Sequence, residues 1–171
     1  MPLKVKMRNI FPVVAVTLLL AFPLSAHAVA SKGASPPPIN VWSTSGQNIT
    51  FANYKGHVLV MDFFATWCAP CRLSIPHLVD LNNRYNRQGL QVLGLSLDEG
   101  SDKVVKSFIA DKKINYPVAM ANEEIYEDYG LRSLPTLFVV NKKGVIVERY
   151  FGFNDEIAKS LEALIKKLLA E

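Results

Sequence analysis

The chain has 171 residues, half of them apolar, with 19 Lys and Arg against 15 Asp and Glu. That length supports one domain with a substantial core. Most of the +4 net charge sits at the start: Lys4, Lys6 and Arg8 precede the first apolar run, and beyond residue 28 there remain 16 basic against 15 acidic residues. No basic face is left to follow a phosphate backbone, which argues against nucleic acid as a partner.

In chain order, a basic start, an apolar stretch over 10–22 and the small-residue site Ala26-His27-Ala28 make the three parts of a secretory signal over residues 1–28. Cleavage is expected before Val29, with Ala28-Val29-Ala30 as a second site. An uncleaved anchor is the alternative, because 10–30 is nearly long enough to span a bilayer. A lipid anchor on an N-terminal cysteine is excluded, since no cysteine precedes Cys68. Either way the domain is expected in the periplasm or otherwise outside the cytoplasm, tethered to the inner membrane if the leader stays, where disulfides persist. Residues 29–38 contain the run SKGASPPP and read as a linker, extended or disordered. Residues 39–171 read as one domain.

Two short strands over 39–42 and 48–51 flank the turn Ser45-Gly46 and predict a hairpin. After a turn at Tyr54-Lys55-Gly56, residues 57–64 form an apolar run without alternation, as for a strand covered on both faces. One acid, Asp62, interrupts it. A helical pattern runs from Cys68 to about Gln88, with Leu73, His77, Leu78, Leu81 and Tyr85 on or near one stripe. Pro76 should kink it, and Gly89 is a natural stop. Residues 90–97 predict a second buried strand. Ser101 can cap a helix to about Lys112. A short strand over 116–120 and a short helix capped by Asn122 follow. Strands over 137–141 and 145–150 flank the turn Lys142-Lys143-Gly144, and Asn154 caps an amphipathic helix to about Leu169. Strands alternating with helices, closed by an antiparallel hairpin, predict a mixed α/β fold.

The two cysteines of the chain, Cys68 and Cys71, lie in Thr66-Trp67-Cys68-Ala69-Pro70-Cys71-Arg72, directly after the 57–64 strand. A secreted domain with a sizeable core does not need a single staple, so the pair reads as a working disulfide. A helix starting at Cys68 would aim free N–H groups and a positive dipole end at that thiol and favour its thiolate. Cys68 is then the attacker, and Cys71, one turn inward, resolves the mixed disulfide. The rival reading is a metal site, which needs two more ligands; His57 and His77 do not make a second pair at ligand spacing, and no metal is expected. Asp62 lies six residues before Cys68 within apolar sequence. Burial should raise its pKa and suit it to take the proton of Cys71, the alternative being an acid paired at the strand end. Pro70 fixes φ between the thiols and, with Ala69, leaves nothing polar there to stabilise a thiolate. Trp67 reads as a cover for the disulfide and a platform for a partner, or as core packing. Arg72 reads as a solvated helix residue and His77 as part of a helix face.

The stretch Asp62–Arg72 with Pro76 resembles the active-site segment of the thioredoxin superfamily, and Gly130-Leu131-Arg132-Ser133-Leu134-Pro135-Thr136 resembles its cis-proline loop. The separation of 67 residues from Cys68 to Pro135 exceeds the spacing of a plain thioredoxin. The excess falls at about 102–120, a helix and a strand. That insertion, the leader and the 51–56 lead-in are similar to the secreted TlpA/ResA-like branch. The resemblance implies a thioredoxin-like fold: a central mixed sheet flanked by helices, with an N-terminal hairpin and a helix–strand insertion. It implies a thiol–disulfide oxidoreductase with no cofactor beyond its own disulfide. It also implies a cis bond before Pro135, which leaves the Leu134 backbone free to pair with a substrate peptide. The implied partners are protein thiols and disulfides, apocytochrome c among them, and a membrane thiol reductase of DsbD/CcdA type as electron donor. Two positions depart from that branch: Ser74 stands where many members carry an acid, and Asp62 where many are uncharged. Reduction is the expected direction, with a dithiol oxidase and a non-enzymatic module holding a structural Cys pair as the alternatives.

Overall fold

The computed structural model describes Pro2 and residues 29–171; the leader reading lies outside the described residues. Among the described residues no helix is long and apolar enough to cross a membrane. Strands β1 (Asn40–Trp42) and β2 (Asn48–Thr50) form an antiparallel hairpin. A 3-10 turn, Phe51–Tyr54, leads into β3 (Val58–Phe64), followed by α1 (Cys71–Tyr85), β4 (Leu90–Ser96), α2 (Lys103–Lys112), β5 (Val118–Met120), α3 (Glu123–Asp128), β6 (Thr136–Val140), β7 (Ile146–Phe151) and α4 (Asp155–Ala170).

The five-stranded sheet has the order β5-β4-β3-β6-β7, so the apolar 58–64 run occupies the centre. Strands β3, β4 and β5 run parallel, which is why helices connect them; β6 and β7 are antiparallel to their neighbours. Each residue of β3 is buried, because alternate side chains feed two cores. Val58, Val60 and Phe64 pack under α1, α2 and α4, against Ile75, Phe108 and Leu161. Leu59, Met61 and Phe63 face the hairpin and α3, against Val41, Ile125 and Tyr129. Each such large side chain contributes about 1.5–3 kcal/mol on leaving water, which holds the middle of the sheet rigid beneath the cysteines. The insertion is α2 with β5, which adds one parallel strand at the sheet edge.

Two expectations are corrected. The helix does not start at Cys68. Turns come first, with Cys68 N–H donating to Ala65 O (3.1 Å), and the first full-turn bond is Ser74 N–H to Pro70 O at 3.3 Å. Pro70, at φ −63°, has no N–H to close a turn onto Thr66 and instead opens the helix, a position that suits proline. The helix then continues across Pro76. Its buried stripe is set by Cys71, Ile75, Leu78 and Leu81, so Leu73 falls outside it and is 66% exposed.

Residues 29–38, read as an extended or disordered linker, make contacts with the domain. Ala30 is buried and its N–H donates to Asp128 O (2.8 Å); Gly33 and Ala34 exchange backbone bonds with Ile146 on the edge of β7. Tyr129 Oη donates to Pro37 O at 2.8 Å. A proline-rich run cannot satisfy its own carbonyls, so it lies along groups that can.

Candidate active site

The central strand delivers the chain to the C-terminal edge of the sheet, where Cys68 and Cys71 are joined by a disulfide, with Cα atoms 5.3 Å apart. Cys71 is fully buried under α1, whereas Cys68 retains 5% exposure and borders a groove of about 860 Å³. The Cys71 N–H, at the start of α1, donates to Cys68 Sγ at 3.2 Å. The helix begins three residues later than the sequence suggests, yet its free N–H still points at the outer sulfur. An N–H and a positive dipole end at that atom favour a thiolate on Cys68.

The groove brings together most of the expected site. Trp67, Cys68, Ala69, Pro70 and Leu134 line it, and Tyr126 and Arg132 extend it toward α3. Trp67 is 69% exposed, which removes the core-packing reading. The Leu134–Pro135 peptide is cis. Pro135 itself is buried, and its carbonyl accepts from Gly152 N–H (2.8 Å), which holds the loop to the end of β7. Among the described residues Leu134 makes no backbone hydrogen bond, and it lines the groove.

Asp62 lies on the face of β3 that points to α1, in register with Gly94 on one side and Leu137 on the other. It is fully buried, and neither carboxyl oxygen has a partner among the described residues. Burial alone pushes its pKa up to about 7. The paired strand-end alternative therefore fails. A carboxyl with that pKa, on the same face as the buried thiol, can exchange a proton near neutral pH.

Sequence reasoning missed Asp98. Its carboxylate accepts from Thr66 N–H (2.9 Å), Thr66 Oγ1 (2.6 Å) and Ser96 Oγ (2.7 Å). Arg72 donates Nη2–H to Thr66 O at 2.9 Å while lying over the Phe108 ring, so it is tied to the loop rather than simply solvated. These bonds pin the residue directly before Trp67. The available signal was a Ser-x-Asp pair ending an apolar strand, but its partner lies 32 residues away. His77 faces away from the pair, against Phe153, and burial lowers its pKa. Ser74 is buried and returns its Oγ–H to Cys71 O (3.1 Å). Among the described residues no group of three His, Cys, Asp or Glu is placed to hold a metal.

Residues 33–149 match the AhpC/TSA family. The chain belongs to this thioredoxin-like family. It is similar to thiol-disulfide oxidoreductase ResA of Bacillus thuringiensis (strain Al Hakam), 31% identical over 137 residues that span 80% of this chain and 78% of that one. ResA of Bacillus subtilis (strain 168) is 27% identical over 123 residues, covering 71% and 68% of the two chains. A solved Chlorobium tepidum structure carrying the name thiol:disulfide interchange protein DsbE superposes with a TM-score of 0.77 at 27% identity, over 82% of this chain and 99% of that one. The family supplies the fold predicted from the sequence, and within it the Cys68–Cys71 pair makes this member a thiol–disulfide oxidoreductase.

Proposed function

We propose that this oxidoreductase works outside the cytoplasm as a dithiol reductase of protein disulfides. The observation that carries the reading is the unequal setting of the two sulfurs: Cys68 meets the groove and a helix N–H, while Cys71 is sealed on the face that holds Asp62. In the reduced enzyme the Cys68 thiolate attacks a client disulfide held against Trp67 and the Leu134–Pro135 backbone. One client sulfur leaves as a thiol and the other forms a mixed disulfide with Cys68. Cys71 then gives its proton to Asp62 and attacks Cys68 Sγ. The Cys68–Cys71 bond forms, the bond to the client breaks, and two electrons have passed to the client.

The ResA relatives support clients that are protein disulfides. Apocytochrome c is the specific client we favour, with a membrane thiol reductase of DsbD/CcdA type returning the electrons. Ala69-Pro70 places no polar group between the thiols to stabilise the reduced pair, which favours a reductant. Insulin reduction together with the reduction potential tests this. The parent should reduce insulin and Cys68→Ser should not; a potential above about −150 mV would instead mark an oxidase.

A further inference from the structure

The mechanism leaves one buried group unused. Tyr116, in the link between α2 and β5, is buried, and its hydroxyl has no hydrogen-bond partner among the described residues. Its ring shares the core that underlies α1. It fits there because Gly94, the β4 residue in register with Asp62, has no side chain: a Cβ at Gly94 would lie 3.1 Å from Val118 Cγ2, 3.2 Å from Phe64 Cε1 and 3.4 Å from Tyr116 Cε2. The space a β4 side chain would take beside the buried acid is thus shared by Val118, Phe64 and the phenol ring of Tyr116.

Other donors are accounted for. The buried hydroxyls of Ser74, Ser96 and Thr136 donate to Cys71 O, Asp98 Oδ2 and Ser133 O. The remaining orphaned donors, His77 Nε2 and Arg149 Nε, sit against Phe153 and over Phe138. No counter-ion is buried with Asp62, the one fully buried charged residue among those described. From β6 it meets Leu137, from β4 Gly94; α1 contributes Cys71 and Ile75 to this core, α2 Val105 and Phe108, and α4 Leu161 and Ile165. The titratable groups buried in this core are Cys68, Cys71, Tyr85 and Tyr116; Cys68 borders the groove and Tyr85 donates its hydroxyl to Glu162 Oε1 (2.9 Å), which leaves Cys71 and Tyr116 to act on Asp62. Two carboxyl oxygens and one hydroxyl without partners in the same buried layer call for a common partner.

We propose that Tyr116 is the positioning residue of Asp62, its hydroxyl donating through a single bridging water to the carboxyl that accepts the Cys71 proton. This rests on the reading of Asp62 as base. The balance of the step is unchanged: the proton passes from Cys71 Sγ to Asp62, the Cys71 sulfur bonds Cys68 Sγ, and the client thiolate leaves and is protonated from solvent. Tyr116 stays protonated throughout, in keeping with burial and the Asp62 charge, which hold its pKa well above the usual value. Its donated bond favours the ionised carboxyl and aims one oxygen.

The test is the pH profile of the resolving step, measured as client release from a preformed Cys68 mixed disulfide, in the parent, Tyr116→Phe, Asp62→Asn and the double variant. The rate should rise with pH as Asp62 ionises. Tyr116→Phe should move that limb up by about one pH unit, a roughly tenfold slower release on its acid side. The infrared carboxyl band that is lost in Asp62→Asn should titrate at correspondingly higher pH in Tyr116→Phe. Asp62→Asn should abolish the limb, and Tyr116→Phe should then change nothing more. If Asp62→Asn removes the limb while the Tyr116→Phe profile and carboxyl titration superimpose on the parent's, Tyr116 is mere packing and the proposal fails with the base intact. If Asp62→Asn keeps the limb, both fall.

Discussion

Replacing Asp62 by Asn preserves shape and removes the charge. The folded carboxyl has its pKa raised from 3.8 to about 7 by burial. The unfolded chain therefore releases that proton near pH 4, while the folded chain holds it to near 7. Between those values the folded state binds more protons, so stability falls as pH rises through the window and levels off above it. At about 1.4 kcal/mol per pH unit, the ionised group costs the parent ~4 kcal/mol at pH 8. Asp62→Asn should thus match the parent near pH 3.5 and exceed it by up to ~4 kcal/mol at pH 8, in denaturant titrations of the oxidised proteins. The same variant should slow the resolving step by about 10²–10⁴-fold, the usual contribution of a placed acid or base. Parallel stability curves for the two proteins between pH 4 and 8 would refute the burial argument, because every other carboxylate is common to both.

Asp98→Ala leaves the Thr66 N–H and hydroxyl unpaired in a half-buried loop, and should lower stability by about 1–3 kcal/mol. Insulin reduction should fall while reaction with a small disulfide such as 5,5′-dithiobis(2-nitrobenzoate) falls less, because loop placement matters most to a large client. Trp67→Ala removes an exposed platform rather than a core side chain. Stability should stay within about 0.5 kcal/mol of the parent while KM for a protein client rises, as comparative denaturation and steady-state kinetics would report.

Much of this was legible in the sequence because it is local. The apolar run at 58–64 had to be a strand covered on both faces, and Asp62 inside it had to be buried with nothing beside it in sequence to neutralise it. Cys-Ala-Pro-Cys and Ser-Leu-Pro-Thr carry their chemistry in consecutive residues. What escaped depends on partners brought from afar. The Thr66–Asp98 clamp joins the loops that follow the neighbouring strands β3 and β4. The linker docks because α3 and the edge of β7 offer it hydrogen bonds, which composition cannot reveal. The phase of α1 was set by Cys71 rather than by the apolar Leu73, since Pro70 delays the helix by three residues. Gly94 looks like a weak point in a strand until its register partner is known to be Asp62.

The ordered roles of the two sulfurs are tested most directly by trapping. Cys71→Ala, expressed in cells and quenched with acid, should accumulate mixed disulfides through Cys68, whose partners mass spectrometry would identify. Cys68→Ala, with its surviving thiol buried, should accumulate almost none. Equal trapping by the two variants, or capture through Cys71 alone, would contradict the account.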